Sequence, residues 1–431
     1  MKMEIYNIIR NHTWRSIICV FVCVFSDLSA QEINSITLDV CYTLAKKNYP
    51  LVYQKELLTK IKEYTLDNAG KGNLPLISFN GQATYQSEVT QIPIDIPGME
   101  ISSLSKDQYK GYVDISQPIT ERKIINQQKQ LIEVKTSIEE QKLDVDIYQL
   151  KDRVNQVYFG ILLLREQIRQ VELLKKDIRS GLTKTDAAIA NGIALKSSGD
   201  ILKAELLKSD QRTIELNASL KGYIQMLSLL INRPLDENIS LQTPPTLPII
   251  NNIARPELKL FDVQLESLDL QREMISTRKI PKVNLFLQGG YGKPGFNFLK
   301  NKFDFYYIGG VRFNWSLSGL YTSGNDQQLI DLNKSMINVQ KETFLFNTNL
   351  SLNRQETEII KYDGLIEVDN EIIKLYENIL TSYSAQLENG TITTYEYLTH
   401  LNAIDVARQN LVLHQAQLLM AQYNHKTTTG N

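Results

Sequence analysis

The chain has 431 residues, with 47 Lys and Arg against 48 Asp and Glu for a formal net charge of −1. That length exceeds one ordinary globular core, and the even charge excludes the basic surface with which a nucleic-acid partner displaces counterions from phosphate. Tyrosines (21) outnumber phenylalanines (13) and tryptophans (2), a bias suited to surfaces that are apolar on one side and wet on the other.

At the N-terminus Lys2, Arg10 and Arg15 precede the mostly apolar run Ser16 to Phe25, and small Ala30 stands before Gln31. This is the order of a secretory signal, expected over residues 1–30. As a helix the apolar run is too short for the roughly 30 Å of a bilayer's hydrocarbon. Cys19 and Cys23 would leave with the signal, so only Cys41 remains and no internal disulfide can form. Packing or assembly must therefore hold the exported chain. No later segment is an unbroken apolar run long enough for a transmembrane helix. If the chain enters a membrane, it does so as a barrel.

The remainder reads as a duplication. Helical segments open at Pro50 and Pro256, and a second proline follows each at the same spacing, Pro75 and Pro281. With those prolines superposed, Gln82 falls on Gln288 and Tyr85 on Tyr291. Further on, "GYVDISQPI" from Gly111 matches "GGVRFNWSL" from Gly309, and "ANGIALKSSGDIL" from Ala190 matches "ENGTITTYEYL" from Glu388. The parts divide into a first repeat at 31–231, a Pro- and Asn-rich linker at 232–253, and a second repeat at 254–431.

Each repeat carries two strand-like runs of period two. Ile77 and Phe79, Val113, Val283, Leu285 and Leu287, and Val311 and Phe313 fall on the apolar side. Ser78, Asn80, Asp114, Asn284, Gln288, Arg312 and Asn314 fall on the polar side, with Phe286 the exception. The runs are about ten residues long, the length of a tilted transmembrane strand. Long helices follow. Val154, Val157, Ile161, Leu164, Ile168, Val171, Ile178 and Leu182 make a heptad seam, and Leu329, Leu332, Met336 and Val339 begin a second one. About 60 residues at about 1.5 Å each would reach roughly 90 Å, which suits a conduit better than a compact domain.

One stretch suggests other chemistry. Gly290-x-Gly292-x-x-Gly295 follows the apolar run "VNLFL" and matches a dinucleotide fingerprint in letters. Such a site needs a helix opening at the third glycine, whereas Pro294 precedes Gly295 and another strand-like run follows. The better reading is a strand end and a loop. No GxSxG, HExxH or paired CxxC occurs in the mature chain, and the histidines are spaced too widely for a metal pair on one helix face. No enzyme, cofactor or metal site is expected.

Signal, duplicated halves, paired amphipathic strands and very long helices together resemble the TolC family of outer-membrane efflux proteins. The local marks are "ARPEL" with Pro256, "DISQPI", "RFNWSL" and the helix turns at Gly192 and Gly390. The resemblance implies an α+β membrane protein whose four β-strands per chain contribute to a trimeric twelve-strand transmembrane β-barrel that continues into a long α-helical coiled-coil tunnel. It implies a homotrimer in the outer membrane of a Gram-negative bacterium, meeting outer-membrane lipid through the apolar strand side. It also implies an exit duct of a tripartite efflux or type I secretion system, partnered by a periplasmic adaptor (membrane fusion) protein and an inner-membrane pump. By the same resemblance Asn191, Gly192, Asn389, Gly390 and Thr391 are adaptor-contacting tips. Glu396 is the acidic residue that narrows the tunnel, with Asp200 as its first-half counterpart if two extra residues intervene. An ordinary exposed helix carboxylate is the other reading of Glu396. The tyrosine and arginine that lock the aperture in the family's best-known member are not apparent here; Leu387 and Ile392 stand at the matching positions. A periplasmic coiled-coil adaptor or scaffold is the alternative; it accounts for the helices and the signal but not for the strands.

Overall fold

A computed structural model describes residues 35–90, 103–277, 279–297 and 299–431. The expected signal segment, with Cys19 and Cys23, lies outside the described residues.

The chain runs β1 (Ser35–Ile36), α1 (Leu38–Asn48), a short 3₁₀ turn (Pro50–Val52), α2 (Tyr53–Lys71), β2 (Leu76–Tyr85), β3 (Asp107–Pro118), α3 (Arg122–Tyr148), α4 (Leu150–Ala190) and α5 (Lys196–Ile231). It continues with β4 (Ser240–Leu241), α6 (Pro256–Thr277), β5 (Lys282–Lys293), β6 (Asp304–Asn314), α7 (Gly319–Glu388) and α8 (Thr394–Thr429). The order helix, two strands, long helix, return helix thus occurs twice. Helix α7 has 70 residues, about 105 Å at about 1.5 Å per residue. Its first-half counterpart is α3 followed by α4, joined through Gln149, which keeps right-handed helical dihedrals at φ −61 and ψ −18.

Strands β2, β3, β5 and β6 form one antiparallel sheet in that order. Its two hairpins share a register. Gly81 pairs with Gly111 in the first and Leu287 with Gly309 in the second, which are the partners obtained by carrying each strand onto its matched copy. All three pairings join odd residues to odd and even to even. Because successive side chains alternate across a strand, every odd-numbered residue lies on one face of the sheet and every even-numbered residue on the other. Among the described residues β2 and β6 are its unpaired edges.

The linker is more than an extended connection. β4 within it pairs in parallel with β1, Ser35 opposite Ser240 and Ile36 opposite Leu241. The Tyr158 hydroxyl lies 2.8 Å from the Ile36 carbonyl and 2.7 Å from that of Gln242, bridging both segments. Around it Cys41, Val154, Phe159, Ile161, Leu227 and Ile231 form the largest apolar cluster. Burial pushes the Cys41 thiol up to about 12, so it behaves as a small apolar group.

The helices pair as antiparallel hairpins, α4 with α5 and α7 with α8, and α4 also packs on α8. The α4 seam faces inward: Val154, Ile161, Val171 and Ile178 are each fully buried. Helix α6 packs on α7 and is laced to it by Arg272–Asp331 and Lys341–Asp262, both at 2.8 Å, and by Lys334–Asp269. The second seam behaves differently. Leu329, Leu332, Met336 and Val339 are 57–61% exposed, on a side of α7 that nothing among the described residues covers.

Candidate functional site

The sheet sorts its side chains by medium. On the odd face stand Ile77, Phe79, Val113, Leu285, Leu287, Val311 and Phe313, each at least a third exposed in the chain, with Val283 half-buried beside Phe313. Tyr291, Phe303 and Phe305 gather at the loop end, with centroids 5.5 Å apart for the Tyr291–Phe303 pair and 4.7 Å for Tyr291–Phe305. The even face carries Ser78, Asn80, Asp114, Gln288 and Arg312. A sheet with one contiguous apolar face left uncovered is not a water-soluble surface. Among the described residues no helix is long and apolar enough to cross a membrane.

The first two glycines of the fingerprint lie inside this sheet. Gly290 and Gly292 belong to β5, where an added Cβ would come 2.6 Å from the Gly111 carbonyl oxygen and 2.7 Å from that of Tyr109. Those glycines permit close strand contact. No helix opens at Gly295, and the next element is β6.

At the far end of the helices the two turns are near copies. Asn191 and Asn389 cap α4 and α7 with φ −85 and −84, and Gly192 and Gly390 follow at φ +74 and +66. The Gly192 and Gly390 N–H groups donate to the Ile189 and Leu387 carbonyls, and the next residues, Ile193 and Thr391, reach back to Ala188 and Gln386. This is a Schellman ending, which requires the left-handed residue that glycine supplies. The return helices then start at matched N-caps, Leu195 and Thr393, with ψ 150 and 155.

The matched caps correct one expectation. No extra residues separate the first turn from its helix, so Ser198, not Asp200, occupies the position matching Glu396. Asp200 stands exposed on α5, with no ion pair among the described residues. Glu396 has local work. The Thr393 N–H donates to its Oε2 at 2.7 Å, the Thr393 hydroxyl does so at 2.9 Å, and the Glu396 N–H donates to Thr393 Oγ1 at 3.2 Å. This capping box holds the carboxyl below its usual range, chiefly through the Thr393 backbone bond. The Thr-x-x-Glu spacing was readable in the sequence. A cavity of about 320 Å³ lies between the turns, lined by Ile193, Leu195, Leu387, Gly390, Thr391 and Glu396 among others.

Other groups at this end were not legible. Arg408 of α8 reaches Asp177 of α4 at 3.4 Å and Glu377 of α7 at 3.1 Å. Lys184 reaches Glu388 at 3.1 Å and donates to the Ser384 hydroxyl at 2.7 Å. Burial raises the Asp405 carboxyl, an effect that Arg212 and Arg408 partly offset. Leu387 and Ile392 join the apolar cluster around Tyr397 and Leu401. These contacts tie the two helical hairpins together.

Three solved structures share this architecture. The outer membrane protein VceC from Vibrio cholerae matches with a TM-score of 0.66 at 14% identity, over 91% of this chain and 96% of that one. The Campylobacter jejuni CmeC outer membrane channel matches at 0.62 and 14%, over 91% and 85%. The open state of the Neisseria gonorrhoeae MtrE outer membrane channel matches at 0.61 and 13%, over 91% and 89%. The chain has the fold of the TolC-type outer-membrane channels. No family model and no curated relative matches the sequence. The likeness is therefore one of backbone, and it spans both the sheet and the helical hairpins.

Proposed function

We propose that this chain is an outer-membrane exit duct. Three copies close their four-stranded sheets into a twelve-strand barrel, and their helices form the tunnel wall beneath it. The observation that carries the reading is the sheet: an apolar odd face, a polar even face, and two open edges. Unpaired edges are not tolerated in hydrocarbon, so a lipid-embedded sheet of this kind must close on further copies. The bare stripe Leu329, Leu332, Met336 and Val339 supports the same reading, because a neighbour's helix would cover it.

In this reading the odd-face residues meet lipid, and the turns at Asn191–Gly192 and Asn389–Thr391 meet a periplasmic adaptor joined to an inner-membrane pump. The pump supplies the energy and the chain itself catalyses nothing. Glu396, threefold repeated, is a constriction candidate in addition to its cap. The reading is tested by carbonate washing of membranes followed by native mass spectrometry of the detergent extract. A carbonate-resistant trimer is expected. A washed-off monomer or dimer would replace the duct with a coiled-coil scaffold.

A further inference from the structure

Phe286 breaks the alternation of β5 by placing a large apolar ring on the polar face, and the fold provides a seat for it. Its strand partner is Gly310, and a Cβ there would come 3.2 Å from Phe286 Cε1. The glycine lets the ring lie across β6. On the ring rests Arg312, its guanidinium carbon 4.6 Å from the ring centroid. Such stacking occupies one guanidinium face and leaves the in-plane N–H donors free.

Arg312 is exposed and has no ion pair among the described residues. Its surroundings bring no acid to it. Neighbouring β5 reads KVNLFLQGGYGK and contains none. β2, the edge that would meet β6 in a closed barrel, reads LISFNGQATY and carries no charge at all. Of the acids on the even face, Asp114 stands on β3 with β5 between, and Asp304 lies at the opposite end of β6. Glu121, near the helix end of the sheet, is engaged by Lys282 at 2.8 Å. Trimer closure would thus leave this guanidinium open to whatever passes.

We propose that Arg312, held on Phe286, is a binding station on the duct wall for the carboxylate, sulfonate or phosphate of an organic anion in transit. It rests on the exit-duct reading, which makes the even face the water-filled side. Two oxygens of any of these anions can accept parallel N–H bonds from the fork, and the aromatic backing holds the fork in place before the solute arrives. A threefold barrel presents three such stations, near the end where the strands pass into the helices.

The test is isothermal titration of the detergent-extracted protein with 2-naphthalenesulfonate, alongside neutral 2-naphthalenemethanol, with native mass recorded for every variant. One sulfonate per chain is expected. Arg312→Gln should weaken it by about tenfold or more, the loss of a charge-assisted pair, while leaving the neutral probe unchanged. Arg312→Lys should fall between, since it keeps charge without the fork. Phe286→Leu should weaken the sulfonate through loss of the seat. Wild-type sulfonate affinity in a trimeric Arg312→Gln variant would overturn the station and leave the duct standing. A wild-type chain that proves soluble and monomeric would overturn both.

Discussion

The seam along α4 and the stripe along α7 follow the same three-and-four rhythm, yet they meet different surroundings. Val154, Ile161, Val171 and Ile178 are fully buried within the chain, whereas Leu329, Leu332, Met336 and Val339 remain more than half exposed. Periodicity states that a helix has a face to bury; it does not state whose surface buries it. The first seam stabilises the chain and the second, in the duct reading, stabilises the assembly. Substitutions can separate the two. Ile161→Ala should cost about 2–5 kcal/mol of chain stability, the range for a buried aliphatic side chain cut to alanine, read by denaturant unfolding. Leu332→Asp should leave helix content and protease resistance unchanged while converting the native mass from trimer to monomer. A surviving trimer would mean that the stripe faces water.

The two faces of the sheet give a second contrast. Leu285→Arg on the odd face should impair membrane assembly by about 2–4 kcal/mol, the cost of a cation near the middle of a bilayer-facing strand. Gln288→Arg on the even face should have little effect on trimer yield. Equal yields from both variants would break the assignment of the faces.

A third contrast is between glycines. A Cβ at Gly181 of α4 would stand 2.6 Å from Tyr397 Cε1, where the ring is nearly fully buried between helices. At Gly364 of α7 nothing lies within 4 Å. Gly181→Ala should therefore destabilise by about 1–3 kcal/mol through overpacking. Gly364→Ala should stabilise slightly, by up to about 1 kcal/mol of helix propensity. Paired thermal melts of the detergent-extracted protein would show the opposite signs.

Much of this architecture was legible because it follows from local periods. Alternation in the four strands sorted Leu285 and Gln288 to opposite faces without any partner being known, since side chains alternate along any strand. The matches of Gln82 with Gln288 and of Gly111 with Gly309 aligned the strands of the two repeats, and their hairpins do share a register. What was not legible depends on contacts distant in sequence. Arg408 meets Asp177 across 231 positions, and nothing near either residue announces it. Phe286 looked like an error of alternation until Gly310 stood opposite. Asp200 matches Glu396 only through an insertion that the turns do not contain, and cap geometry, which depends on backbone dihedrals, puts Ser198 there instead. The Thr393-x-x-Glu396 box, by contrast, is a local spacing that the sequence carries on its own.

That box supplies the smallest of the contrasts and the one that separates two roles of a single carboxylate. Thr393→Ala should fray the start of α8 by about 1 kcal/mol, whereas Leu195, with no capping side chain, has nothing comparable to lose. The Glu396 carboxyl is held below its ordinary 4.5, so the folded state favours its charged form. Its contribution is therefore present above about pH 4.5 and is lost as pH falls through the lowered value. Amide exchange over the first turn of α8, corrected for intrinsic rate, should speed up on acidification, while that of α5 should show no such arm. Glu396→Gln should abolish the arm. The double change Leu195→Thr with Ser198→Glu should transplant it to α5, because the two turns share their backbone geometry. If the transplanted box protects α5 but pore conductance still responds only to Glu396, cap and constriction are separate functions of one side chain. If conductance follows the cap wherever it is placed, Glu396 acts on the tunnel only by fixing where its helix begins.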